Sequence, residues 1–173
     1  MNVSPKTRFP EVHKARNPLG NRNTPPHATA RNLQNEILEF LKSLGPFHYS
    51  VTVNLKKRNP KFNVYSNYEQ WEKSAQWFIS ALNKRVLKRA YRYGHQKLNT
   101  ISAIEIGDLN KRPHIHMALG LPSPISHDRY MRAINEVHKR MDWSYGDIHI
   151  MPYQDGGWIE YLMKEGFDRV VLH

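Results

Sequence analysis

Two histidines separated by one residue, His114 and His116, have a spacing that suits metal chemistry. Side chains two residues apart on a β-strand point to the same face, so a strand here would present both imidazoles together. Glu105 ends the preceding run of alternating residues, and it shares that face if the two runs pair as a hairpin. Two imidazoles and one carboxylate can hold a divalent ion with positions left for water or substrate oxygen. A His-x-His pair alone also fits an ordinary polar strand face, so the rest of the chain must supply further support.

A second candidate for chemistry lies near the C-terminus, where Tyr161 and Lys164 are three residues apart. Residues 156–165 are predicted to form a short helix, which places both side chains on one helical face. With a pKa near 10, a phenol needs about 4 kcal/mol to ionise fully at neutral pH. A neighbouring ammonium and a divalent cation would provide part of that energy. The alternative is a tyrosine that packs on the core beside a lysine that extends into water.

Composition limits the classes of protein to consider. The 173 residues include no cysteine, which excludes disulfides, thiolate nucleophiles and Cys-ligated zinc. The formal charge of +11 indicates a polyanionic partner, nucleic acid first and an anionic membrane second. No run approaches 18 apolar residues, and the N-terminus lacks the apolar core of a signal peptide. We therefore expect one soluble, cytoplasmic domain.

Positive charge is concentrated in three segments. Residues 1–30 carry five prolines, five Lys/Arg and one acid, which predicts a flexible basic arm ahead of a domain over 31–173. The other two segments are a loop at 56–61 and a basic run at 84–97 that includes Tyr91 and Tyr93, whose rings could stack on bases. A charge run is also commonly just a solvated surface. The predicted DNA-binding residues are Lys56, Lys57, Arg58, Lys84, Arg85, Lys88, Arg89 and Arg92.

Hydrophobic periodicity predicts an α+β fold with one central antiparallel β-sheet and helices packed on it. Alternation is strictest over 47–55, where Phe47, Tyr49, Val51 and Val53 share an apolar face. In chain order the predicted elements are a helix over 33–44, a strand over 47–55, a helix capped by Asn67 and ending near Gly94, a hairpin over 101–119 with a turn at Gly107-Asp108, a helix opened by Ser126, a strand over 147–153 and the final helix, capped by Asp155.

Three motifs resemble those of the HUH endonuclease superfamily. His114-Ile-His116 is similar to its His-hydrophobic-His core. Tyr161-Leu-Met-Lys164 resembles the Tyr-x-x-Lys motif of the replication-initiator (Rep) branch, which serves rolling-circle plasmids and viruses. The strand Val51-Thr-Val-Asn-Leu55 resembles that branch's first motif, a strand beside the active site. The motifs follow the family's order and span roughly residues 47–166.

The resemblance implies a fold related to RRM and ferredoxin-like sheets, with the catalytic tyrosine on a C-terminal helix. It implies Mg²⁺ or Mn²⁺ held by His114, His116 and Glu105. Tyr161, with Lys164 beside it, would attack a DNA phosphodiester and leave a 5′-phosphotyrosine and a free 3′-OH. The reverse step would join strands without ATP. The implied partners are single-stranded DNA or an origin hairpin and, since no helicase domain is present, a separate helicase; a monomer or weak dimer is expected.

Two alternatives remain open. The first is a single-tyrosine insertion-sequence transposase, which shares the histidine pair, although Lys164 favours Rep because those transposases more often place an amide there. The second is a non-catalytic nucleic-acid-binding module. The absence of another tyrosine three or four residues from Tyr161 disfavours the two-tyrosine initiators. Tyr153 is the competing nucleophile, and His149 is either an outer contact of the metal site, a phosphate contact or an exposed residue.

Overall fold

The computed structural model describes residues 26–106, 112–154 and 157–173 of the chain. Five of its strands form one antiparallel sheet in the order β6-β1-β5-β4-β7, which confirms the predicted α+β fold. In chain order the elements are α1 (Pro26–Ser43), β1 (Tyr49–Leu55), β2 (Arg58–Asn59), β3 (Val64–Tyr65), α2 (Tyr68–Leu87), α3 (Arg89–Arg92), β4 (Thr100–Glu105), β5 (His114–Leu119), α4 (His127–His138), β6 (Ser144–Pro152), α5 (Trp158–Leu162), a 3-10 turn (Phe167–Arg169) and β7 (Val170–Leu172).

The two faces of the sheet carry separate hydrophobic cores. On one face, the predicted apolar side of β1, from Tyr49 to Leu55, packs against the buried stripes of α2 and α4. On the other face, Ile101, Ala103 and Ala118 pack against α1 and α5. Phe47 was predicted on the first face, but it lies before β1 begins and packs against the second core. The strand alternation therefore does not extend back to residue 47.

The long helix α2 starts as predicted but ends earlier. The Asn67 side chain accepts a hydrogen bond from the Gln70 backbone N–H, which caps the helix. The predicted continuation to Gly94 is wrong, because Lys88 has a φ of 51° and separates α2 from the short α3. A positive φ cannot continue a right-handed helix. The last basic residues of the run therefore follow a different direction from α2.

Several other bounds differ from the sequence prediction. The loop over 56–61 contains β2, which pairs with β3 in a two-stranded hairpin, and β7 is an additional strand at the sheet edge beside β4. Helix α1 begins at Pro26, inside the segment predicted as an arm, and α5 covers only Trp158–Leu162. The rest of the arm, the turn at Gly107-Asp108 and the predicted helix cap Asp155 lie outside the described residues. Among the helices that the structure describes, none is long and apolar enough to cross a membrane.

Candidate active site

The β4–β5 hairpin brings the three predicted metal ligands together. Glu105 lies opposite His114, and Ala103 lies opposite His116, so the pairing register places the carboxylate and both imidazoles on one face, as predicted. One potential ligand atom from each residue lies within 4.8 Å of the others. The face is the one covered by α1 and α5, because Ala118, two residues after His116, belongs to that core.

Strand β1 adds two polar side chains to the same face. Thr52 lies opposite His116 and Asn54 lies opposite His114. The Thr52 Oγ1 and His116 Nδ1 atoms are 2.9 Å apart, so the hydroxyl fixes the orientation of that ring. His149 on β6 also lies opposite Thr52, where its side chain is exposed. Sequence reasoning placed Thr52 on the polar face but assigned it no role, since the contact depends on which strand neighbours β1.

Helix α5 places Tyr161 directly over this cluster. The Tyr161 hydroxyl donates a hydrogen bond of 3.0 Å to Glu105 Oε2, and Lys164 Nζ donates one of 2.9 Å to the same oxygen. Lys164 Nζ also lies 3.9 Å from the centroid of the Tyr161 ring. Lys164 sits in the turn after α5 rather than on the helix, because α5 ends at Leu162. The predicted nucleophile, its lysine and the predicted metal ligands therefore form one cluster.

Trp158 determines where α5 rests on the sheet. Its indole N–H donates a 3.1 Å hydrogen bond to the Met117 carbonyl oxygen, between the two strand positions of His116 and Ala118. Its ring stacks on the Tyr161 ring, with centroids 5.3 Å apart and planes 11° from parallel. Ile159 and Leu162 are buried in the core below, as the sequence predicted. Tyr161 itself is 39% exposed, so a substrate can reach its ring from solvent.

Charge in the cluster is centred on the Glu105 carboxylate. Burial raises the pKa of Glu105, but hydrogen bonds from Lys164, His116 and Tyr161 outweigh burial and hold that pKa at about 2. Burial lowers the pKa of His116 and of His114, so both imidazoles are neutral near pH 7. The 2.8 Å contact from His116 Nε2 to Glu105 is therefore a hydrogen bond from a neutral ring.

The protonation states and one unsatisfied atom fit a metal ion. Metal ligands must be neutral imidazoles and ionised carboxylates, which are the states found here. The Nδ1 atom of His114 is buried and has no hydrogen-bond partner among the described residues, as expected of a nitrogen that binds an ion. Glu105, His114 and His116 therefore can hold a divalent cation, with nitrogen and oxygen donors suited to several metals.

The predicted DNA-binding residues separate into two groups. Lys56, Lys57 and Arg58 follow β1 at the end of the sheet where Asn54 meets His114, although Lys56 Nζ donates to the Asp142 carbonyl oxygen. The second group lies on α2 and α3, on the face opposite the cluster, and consists of Lys84, Arg85, Lys88, Arg89 and Arg92. β4 starts beyond α3 and ends at Glu105, so this second group also lies toward the far end of the sheet.

Other tyrosines lie in less suitable surroundings. Tyr49 is buried in the core of the opposite face and bonds to the His127 ring, as expected for a residue away from the histidines. Tyr153 packs beside Phe47, with ring centroids 5.6 Å apart. Within the described residues, Tyr161 is the tyrosine whose hydroxyl contacts the cluster.

An antiparallel sheet with a candidate metal cluster under a solvent-accessible tyrosine defines this chain structurally. It belongs to the family of the replication-associated protein ORF2, whose model matches residues 48–166, more than half of the chain. The match spans the cluster, Tyr161 and Lys164. Neither a curated protein nor a solved structure matches the chain. Family membership makes DNA replication the biological setting and DNA the expected partner.

Proposed function

We propose that this protein initiates rolling-circle replication by nicking and rejoining single-stranded DNA at a specific site. One observation carries the proposal: the Tyr161 hydroxyl, the Lys164 ammonium and the His116 imidazole all meet one oxygen of Glu105, at 2.8 to 3.0 Å. This arrangement places a nucleophile, a fixed positive charge and a candidate metal site within reach of one phosphate. The replication-associated family supports initiation over the transposase alternative.

In the proposed reaction the Tyr161 oxygen attacks the phosphorus atom of a phosphodiester. The P–O3′ bond breaks, the phenol proton leaves to solvent, and the departing 3′ oxygen takes up a proton. The products are a 5′-phosphotyrosine and a free 3′-OH that can prime synthesis. Attack by a 3′-OH on the phosphotyrosine reverses the step, and the retained phosphoester explains why joining needs no ATP.

Each side chain of the cluster has a defined part in this proposal. Lys164 lies over the Tyr161 ring and favours the negative charge that develops on the phenol oxygen. Glu105 orients the phenol rather than accepting its proton, because a carboxylate with a pKa of about 2 is a weak base. His114, His116 and Glu105 would hold Mg²⁺ or Mn²⁺, which when bound polarises the phosphate.

The His116 ring is suited to this role because of Thr52. Once Nε2 serves as a ligand, its proton must sit on Nδ1, which then donates to Thr52 Oγ1 at the observed 2.9 Å. The Thr52 hydroxyl can also donate to Nδ1 in the other tautomer, in which Nε2–H bonds to Glu105. Lys56, Lys57 and Arg58, at the same end of the sheet, would contact the DNA strand that enters the site.

The test is trapping of the covalent intermediate. Single-stranded oligonucleotides with Mn²⁺ should give a protein–DNA adduct on a denaturing gel, with the 5′-phosphate mapped by peptide analysis to Tyr161. Tyr161→Phe removes one hydroxyl, so we expect the adduct to disappear while DNA binding persists. Tyr153→Phe is the matched control and should retain the adduct. An adduct on Tyr153, or cleavage without any covalent intermediate, would refute the proposal.

A further inference from the structure

A cleft between α2 and α4 collects positive side chains on the face of the sheet opposite Tyr161. Its volume is about 340 Å³, room for roughly ten water molecules at about 30 Å³ each. The polar lining comes from Arg85 and Lys88 on one side and from Arg129, Arg132 and Glu136 on α4. Val86, Ile125 and Ala133 complete the walls. Arg129 and Arg132 belong to neither of the basic segments found in the sequence.

The cleft keeps most of its positive charge. Glu136 forms an ion pair with Arg85, so these two charges offset each other. Lys88, Arg129 and Arg132 are exposed, and none of them has an ion-pair partner within the described part of the chain. Three cations therefore face a concave surface whose one lining acid is already paired.

The types of these residues suit phosphate groups. Arg129 and Arg132 are three apart on α4, so their guanidinium groups project from neighbouring positions of one helix face. Guanidinium groups match the geometry of phosphate oxygens through paired N–H donors. Lys88 approaches from the other wall, at the break between α2 and α3. The spacing offers several contacts along a phosphate backbone rather than a single closed pocket for one ion.

We infer that this cleft is a second DNA site, which binds the phosphate backbone of a segment other than the one cleaved at Tyr161. The sheet separates the two sites, because α2 and α4 pack in the core opposite the one beneath α5. Origin DNA would thus be held at two places on one molecule, with the second contact adding affinity without adding chemistry. The inference rests on DNA as the partner in the proposed function, but not on nicking by Tyr161.

The test compares two double charge reversals of equal net charge. Arg129→Glu with Arg132→Glu alters the cleft, whereas Lys84→Glu with Lys139→Glu alters exposed positions on α2 and at the end of α4, outside the lining. Fluorescence anisotropy over a salt series, with single-stranded and duplex DNA, gives the slope of log affinity against log salt. Loss of two phosphate contacts should flatten the slope by about 1.4 for single strands or about 1.8 for duplex.

The cleft variant should flatten the slope for at least one form of DNA by more than twice the control's change, and that form identifies the bound segment. Equal slopes for the two variants would overturn the inference and leave only diffuse charge. Thermal melts monitor folding, and Arg129→Gln with Arg132→Gln gives a milder variant with the same expected direction. Adduct formation at saturating DNA should survive in the cleft variant. Since binding is measured separately, a failure to nick would contradict the proposed function alone.

Discussion

The two faces of the sheet differ in how completely they are covered. On the face beneath α2 and α4, the side chains of β1 and β5 belong to a continuous hydrophobic core, where Phe78 and Tyr130 are fully buried. On the other face, α1 and α5 cover Ile101 and Ala118, while polar residues from three strands remain beside Tyr161. The closed face stabilises the fold, and the partly covered face leaves a site that substrate can enter.

The largest expected effect is on chemistry at the partly covered face. His116→Ala should reduce adduct formation by more than about 100-fold, because one of three candidate metal ligands is lost. Mn²⁺ affinity, measured by electron paramagnetic resonance, should fall in parallel, while the urea midpoint stays close to that of the wild type. His149→Ala, at an exposed position across β1, should retain most activity. Cleavage at the wild-type rate by His116→Ala would place the site elsewhere.

The closed face should respond in the opposite way. Phe78→Ala leaves a cavity in the α2 core, where the side chain is 0% exposed, and should lower the free energy of unfolding by about 3–5 kcal/mol. Trp77→Ala on the same helix, at 40% exposure, is the matched control and should cost far less. Urea denaturation measures both. A larger loss for Trp77→Ala would mean that this face does not carry the main core.

A smaller effect is expected from the hydroxyl that links β1 to the site. Thr52→Val keeps the side-chain shape but removes the partner of His116 Nδ1, so Mn²⁺ affinity should fall by about tenfold. Thr52→Ser restores a hydroxyl at the same position and should recover most of the affinity. Titration calorimetry with Mn²⁺ in the absence of DNA distinguishes the variants. Equal affinities for all three proteins would remove Thr52 from the metal site.

The smallest effect concerns acid stability of the metal-free protein. The pKa of Glu105 in the fold, about 2, is below its ordinary value of 4.5, so the unfolded chain binds more protons between these limits. The stabilisation is present above about pH 4.5 and is lost as pH falls toward 2. Urea midpoints over this range should decline less steeply for Glu105→Gln than for the wild type. Parallel declines would show that Glu105 is not held as a carboxylate by its three donors.

Local sequence patterns predicted the parts of the structure that depend on neighbouring residues. Alternation in two adjacent segments placed Glu105, His114 and His116 on one face, and the register confirms that arrangement. The Asn67 cap is likewise a contact over three residues. The break at Lys88 had no such signal, because a lysine adopts a positive φ only under tertiary constraint.

Strand order and helix placement lay beyond those patterns. The bond from Thr52 to His116 requires that β1 lie beside β5, which periodicity does not specify. The sequence also grouped all basic segments as one kind of surface, whereas α2 packs its basic end on the face away from Tyr161. Arg129 joins Arg85 in one cleft only through helix packing. Charge distribution along a chain therefore underdetermines charge distribution in space.

The hydrogen bond from Trp158 to Met117 links residues 41 positions apart in the chain. Because of it, the segment carrying Tyr161 is attached to the same strand that carries His114 and His116. When that strand bends or shifts, the nucleophile and the ligand nitrogens are displaced together. Their separation should fluctuate less than the position of either group, as correlated displacements cancel in the distance. A helix of five residues can thus keep a reactive oxygen in register with its site without extensive packing of its own.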